Sequence, residues 1–268
     1  MLVTGVLTVA AALWGAAAGL LVPRAAYRLA VEPEEEWRRT CPAGHAFHGP
    51  ARGWIGTARC ARCATAVPVG APAPTPATPP APTPHPAPAL KTLRYVLVAA
   101  AVCAALAAAT GPRPELAVWL LLAPFALLLA VVDRRVHRLP DVLTFPLAGA
   151  AVLLLGAAEL LPGDGGSWVS ALIGGAGLGA TYFVLFLVNP NGMGFGDVKL
   201  ALGIGVALGW YGWPVLFVGA LAGFVLGALY GVGLMITRRG GRKTAIPFGP
   251  FMLTGTWAGL LIGALGAG

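Results

Sequence analysis

Two carboxylates and a run of alternating glycines carry the most chemistry in this chain. In "NPNGMGFGDVKLALGIGVALG", Asp197 stands behind Gly192, Gly194 and Gly196 at the mouth of a long apolar run. Asp133 closes another such run, "LLLAPFALLLAVV". A carboxylate beside apolar sequence is costly to desolvate, and glycine gives up helix stability, so both residue types need a reason. Two carboxylates brought together in a partly dry site cannot both ionise easily. One keeps a proton, which leaves an acid and a base able to activate water between them. The glycines leave backbone groups uncovered, so an extended peptide can approach and pair with them. The plainer alternative is that the glycines let helices pack closely and the aspartates are solvated caps. A nucleotide-binding reading of the glycines lacks the βαβ context it needs.

The elements that must position these residues follow from hydropathy. The 268 residues are 57% hydrophobic and 10% charged, with a mean hydropathy of +0.79, the make-up of a polytopic membrane protein. Spans of roughly 20 apolar residues are expected. Eight are found, at about 2–22, 94–111, 115–132, 142–161, 168–188, 197–212, 213–236 and 248–266, the sixth of them short. The first lacks a basic region before it and reads as a retained helix rather than a cleaved signal peptide. Trp210, Tyr211 and Trp213 suit an aromatic belt at the outer interface.

The formal charge of +8 comes in short basic clusters between apolar runs, without interleaved aromatics, which speaks against nucleic acid. Those clusters follow spans one, three, five and seven, as Arg24 to Arg94, "DRRVHR", Lys199 and "TRRGGRK"; the opposite loops hold only Arg113. By the positive-inside rule the basic loops are cytoplasmic, and Asp133, Asp141 and Asp197 lie together at that edge of the membrane. No internal repeat supports a transporter of inverted halves.

The first cytoplasmic loop divides in two. Residues 23–67 suit a small metal-stapled unit containing Cys41, Cys60 and Cys63, and residues 68–90 are a Pro/Ala-rich tether. Cys103, alone in an apolar helix, reads as a packing residue.

The segment "GMGFGDVKLALGIGVALGW" resembles the GxGD segment of the type IV prepilin peptidases, which are membrane aspartic proteases, with Gly194, Gly196, Asp197 and Lys199 in the family's places. "VVDRRVHRLPDVLTFPL" is similar to the family's first aspartate segment, and "AIPFGPFMLTG" to the proline-rich start of its last helix. The resemblance implies an all-α polytopic fold with a peptidase region over 91–268. It makes Asp133 and Asp197 the catalytic pair, with water attacking directly and no cofactor for the peptidase. Asp141 is the rival for the first role; Asp133 is preferred because similar enzymes often carry asparagine at the position of Asp141. Asp141 with Thr144 reads alternatively as a helix cap. Lys199 either biases the dyad or anchors the helix at the interface.

The implied substrates are prepilins or pseudopilins of pili or type II secretion, cut after a basic leader at the cytoplasmic face of a bacterial inner membrane. The resemblance frays at the amino-terminal side. The family's loop carries two CxxC pairs that bind zinc. Here "CARC" supplies Cys60 and Cys63, but Gly44 stands where the partner of Cys41 belongs. His45 can replace it in a Cys3His set, with His48 as fallback. Family members with an intact loop also methylate the new amino terminus with S-adenosylmethionine, an activity left open here. Against the peptidase stand an ion or small-molecule transporter and a non-catalytic assembly scaffold. Carboxylates at one membrane edge argue against the first, and the cost of desolvating them against the second.

Overall fold

A computed structural model describes residues 2–32, 34–57, 60, 62–63, 89–190, 192–237 and 246–267. Nearly all of the Pro/Ala tether and most of "TRRGGRK" lie outside the described residues. Eight long helices follow one another: α1 (Leu2–Leu29), α2 (Ala89–Thr110), α3 (Glu115–Val136), α4 (Asp141–Glu159), α5 (Trp168–Val188), α6 (Phe195–Gly209), α7 (Trp213–Ile236) and α8 (Gly249–Gly266). Among the described residues there is no strand, and a lone bridge joins Thr40 to Ala46.

Seven of these helices are long and apolar enough to cross a membrane. The exception is α6, whose 15 residues rise about 22 Å against a hydrocarbon core of about 30 Å. Beyond Asp197 and Lys199 near its start it is apolar and mostly buried, as a helix enclosed by other helices should be. The 28 residues of α1 run the other way, about 42 Å, past Pro23 and out of the apolar layer.

Local chemistry sets the ends. Gly111 takes a left-handed φ of 65° just after α2, and its N–H donates to the Ala107 carbonyl at 2.9 Å. Ser167 caps α5 by accepting from the Ser170 N–H at 3.4 Å. Gly212, at φ 95°, turns the chain between α6 and α7.

Close helix pairs meet on small residues. A Cβ on Gly205 of α6 would strike the Gly174 carbonyl of α5, and one on Gly15 of α1 would strike the Ala99 carbonyl of α2. Cys103 is buried at that second seam, as expected of a packing residue.

Four helices close a ring: α3 packs on α4, α4 on α6, α6 on α8 and α8 on α3. Across the ring, α3 and α6 do not pack against each other. The space between holds an apolar cavity of about 370 Å³, lined among others by Ala130, Thr144, Leu200, Ile204, Leu253 and Thr256, with α2 closing one side.

Candidate active site

Asp133 lies in the last turn of α3 and is 4% exposed. The helix stops there because His137 adopts a left-handed φ of 50°, its N–H donating to the Asp133 carbonyl at 2.7 Å. The Asp133 side chain is held from a different helix. Its Oδ2 accepts the backbone N–H of Gly249 at 3.0 Å, at the amino-terminal end of α8, where free N–H groups favour an anion. A Cβ at position 249 would come within 2.8 Å of the same oxygen, so the contact requires glycine. The motif around Gly249 is visible in the sequence, but this role is not, since it depends on two helices meeting.

Asp197 occupies the first turn of α6, 9% exposed, with its N–H donating to the Gly194 carbonyl at 3.0 Å. The glycines before it have different duties. Gly196 is pressed against Leu139, 3.1 Å from where its Cβ would be, whereas a Cβ on Gly194 would meet Asp197 Oδ2 at an ordinary 3.5 Å. Gly194 therefore leaves one flank of the carboxylate uncovered. Asp197 is close enough to feel the charge of Asp133, so the ring brings the two carboxylates to one end of the cavity. Ala130 and Leu200, one helical turn inward from each, line that cavity. Tyr182, buried on α5 against Phe224 and Phe248, also feels Asp197. Nothing in the sequence singled it out from an ordinary core tyrosine.

Asp141 and Lys199 find each other instead of the dyad. Lys199 Nζ lies 2.7 and 2.8 Å from the two carboxylate oxygens of Asp141, between the rings of Phe145 and Phe195. The carboxylate is 59% exposed and the lysine 16%. Asp141 does not cap α4 as expected. The cap position belongs to Pro140, and Thr144 Oγ1 donates to the Pro140 carbonyl at 3.0 Å. The expected aromatic belt is also corrected: Trp210 is 1% exposed and Tyr211 half-buried, leaving Trp213 facing outward. Tyr211 turns inward with its hydroxyl donating to Glu115 Oε1 at 3.4 Å, and Trp210 is buried beside it against Gly166.

In the insert between α1 and α2, the ligand atoms of Cys41, His45, Cys60 and Cys63 all lie within 4.8 Å of one another. His45 Nδ1 is 3.3 Å from Cys63 Sγ and 3.7 Å from Cys41 Sγ, and the Cys41 and Cys63 sulfurs are 3.7 Å apart. A tetrahedron with Zn–S bonds of about 2.3 Å has S–S edges of about 3.7 Å, so these residues fit zinc. Gly44, the residue that broke the expected CxxC, holds a left-handed φ of 78° in the turn where its N–H donates to the Cys41 carbonyl. That turn carries the chain on to His45. Hydrogen bonding by the Cys63 backbone N–H lowers the Cys60 thiol to about 7, while burial and the neighbouring Cys41 and Cys60 raise the Cys63 thiol to about 11. His48 stands outside the group, and its carbonyl accepts from Arg24 at 2.9 Å. Arg28 likewise leaves α1 to reach the Arg38 and Arg52 carbonyls, stacked over Trp54.

Residues 120–232 match the family model described as the Type IV leader peptidase family. The matched stretch holds Asp133, Asp141, Asp197 and Lys199 and leaves out the Cys/His group. Among curated relatives, the prepilin leader peptidase/N-methyltransferase of Aeromonas hydrophila is 34% identical over 178 residues, 65% of this chain and 58% of that protein. That of Pseudomonas putida is 35% identical over 161 residues, 57% of this chain and 52% of that protein. That of Aeromonas salmonicida is 34% identical over 148 residues, 54% and 47% respectively. The chain thus spans about half the length of the curated relatives it matches. No solved structure matches it.

Proposed function

We propose, from the premise that the stretch 120–232 is a type IV leader peptidase segment, that this chain is a membrane-embedded aspartic endopeptidase that removes leaders from prepilins or pseudopilins. The observation that carries the reading is two buried carboxylates, on helices that do not pack against each other, standing at one end of an apolar cavity within electrostatic reach of one another. The ionised member of the pair takes a proton from water, and the other gives its proton to the scissile carbonyl oxygen as the water oxygen bonds to carbon. Collapse of the resulting gem-diol breaks the C–N bond, and the proton returns to the leaving amine. The Gly249 N–H orients Asp133 through this sequence, and the open flank at Gly194 admits the peptide backbone.

The clustering of lysine and arginine supports a dyad at the cytoplasmic face of a bacterial inner membrane. A transport site is not favoured, because both aspartates occupy terminal helical turns rather than the midplane. Cys41, His45, Cys60 and Cys63 would hold a structural zinc ion that fastens the insert and takes no part in cleavage. S-adenosylmethionine is required only where the N-methyltransferase activity named for the relatives is retained.

The test is cleavage of a prepilin-type peptide by purified wild type and the Asp133→Asn, Asp141→Asn and Asp197→Asn variants, each checked for folding in detergent. Loss in the first and last alone assigns the dyad. A folded wild type that cuts no such peptide refutes the reading.

A further inference from the structure

The end of the ring remote from the dyad holds a second group of buried charges that peptide cleavage leaves unused. Glu115, in the first turn of α3, is 0% exposed. Its Oε1 accepts from the Tyr211 hydroxyl at 3.4 Å and lies 3.4 Å from Arg113 Nε. The Tyr211 oxygen in turn accepts from Trp119 Nε1 at 3.1 Å. Arg113 also donates to the Thr110 carbonyl at 2.7 Å and to the Ala264 carbonyl.

The guanidinium therefore stands at the carboxyl-terminal ends of α2 and α8, and the carboxylate at the amino-terminal end of α3, each where the helix dipole favours its sign. Gly165, from the loop between α4 and α5, closes over them; its Cβ would lie 2.6 Å from Arg113 Nη1 and 2.7 Å from Glu115 Oε1. Glu115 Oε2, Thr110 Oγ1 and Trp210 Nε1 are buried with no hydrogen-bond partner.

So expensive a group is not explained by stability, since apolar side chains of similar volume commonly serve as well as a buried ion pair. Its placement offers another reason. α3 bears Asp133 at one end and Glu115 at the other; α6 bears Asp197 at one end and leads into Tyr211 at the other. The two helices do not pack against each other, yet the Glu115–Tyr211–Trp119 bridge joins them. We propose that Glu115 and Tyr211 are positioning residues for cleavage, a strut that sets the separation of the two aspartates from the opposite end of the ring.

The lever is long. Asp133 lies about 27 Å along α3 from Glu115, and Asp197 about 21 Å along α6 from Tyr211, at about 1.5 Å per residue. A relative tilt of only about 2–3° moves a carboxylate by about 1 Å, a misplacement able to cost about 10²-fold in rate. This proposal rests on the peptidase reading for its catalytic readout, but not for its structural one.

The experiment uses the full chain in detergent with Glu115→Gln and Tyr211→Phe. Each variant is measured for prepilin-peptide cleavage, melting temperature and the distance between nitroxide-bearing residues at positions 134 and 195, beside the two aspartates. The expected result is a fall of tenfold or more in kcat, with KM within twofold and a lengthened or broadened distance. A lowered melting temperature with unchanged kcat and unchanged distance overturns the strut and leaves a purely structural network. If a variant does not fold, the other carries the test, Tyr211→Phe being the milder because it removes one oxygen. Should the wild type cut nothing, the peptidase reading fails, and an unaltered distance in the variants would still refute the strut.

Discussion

Replacing Gly249 with alanine would set a methyl group 2.8 Å from Asp133 Oδ2 and 3.2 Å from its carboxyl carbon. Ordinary contact begins at 3.4 Å, so the carboxylate or the start of α8 must retreat by 3.4 − 2.8 = 0.6 Å. The 3.0 Å hydrogen bond from the Gly249 N–H loses its geometry in the process. With about 10²-fold lost per 1 Å of misplacement, this shift predicts a kcat lower by about 10- to 30-fold, or about 1.4–2 kcal/mol in the barrier. Overpacking and the strained hydrogen bond together lower stability by about 1–3 kcal/mol. The assay is steady-state cleavage of a prepilin-type peptide beside thermal unfolding in detergent. Gly233→Ala is the control, because a Cβ there meets nothing within 4 Å and should be neutral or slightly stabilising. Wild-type kcat in a folded Gly249→Ala protein would refute the reasoning, since the carboxylate would then tolerate displacement from the α8 terminus.

Three further outcomes are expected. Asp141→Asn and Lys199→Met should each weaken the fold slightly, and a double-mutant cycle by thermal unfolding should show a coupling of at most about 1 kcal/mol, because the carboxylate is largely exposed. The purified protein should contain one zinc per chain by elemental analysis; Cys41→Ser should lose it and melt earlier while still cutting peptide, and loss of cleavage with the metal would show that the insert supports the dyad. Gly205→Leu should cost about 1–3 kcal/mol or prevent assembly, because the side chain has only the Gly174 carbonyl and the Gly175 Cα, 2.8 Å away, to move into.

The parts of the fold governed by position along the chain were legible in the sequence. Hydropathy located every long helix, including the shortness of α6, and placed Asp133 and Asp197 at helix ends. Helix limits shifted where something other than lipid decided them. α1 continues to Leu29 because Arg24 and Arg28 have the insert to hold, and α2 begins at Ala89, before its apolar run. The Cys3His group was readable because its members are near in sequence and chemically distinctive.

What depended on separate helices meeting was not readable. In sequence alone Gly249 is one more glycine, Tyr182 is one more tyrosine within an apolar run, and Glu115 is a charge at the edge of a span. Trp210 and Tyr211 depart from the expected belt because interfacial aromatics and inward-turned ones have the same local sequence. Only burial, which pattern alone does not specify, separates them.

The fastening of the insert bears on how such a protein can change over generations. The hydrogen bonds described between insert and bundle run to Arg24, Tyr27 and Arg28 of α1, whereas the carboxylates stand on α3 and α6 and lean on α8. The two units thus hydrogen-bond to different helices, and they touch through packing, where Trp54 of the insert lies on the cluster that α1 shares with Leu128, Val131 and Val132 of α3. A lineage can erode a cysteine, swap in a histidine or refashion the loop without breaking any hydrogen bond to the two proposed catalytic carboxylates, so this chain's departure from the double CxxC pattern reaches the ring only through that packing.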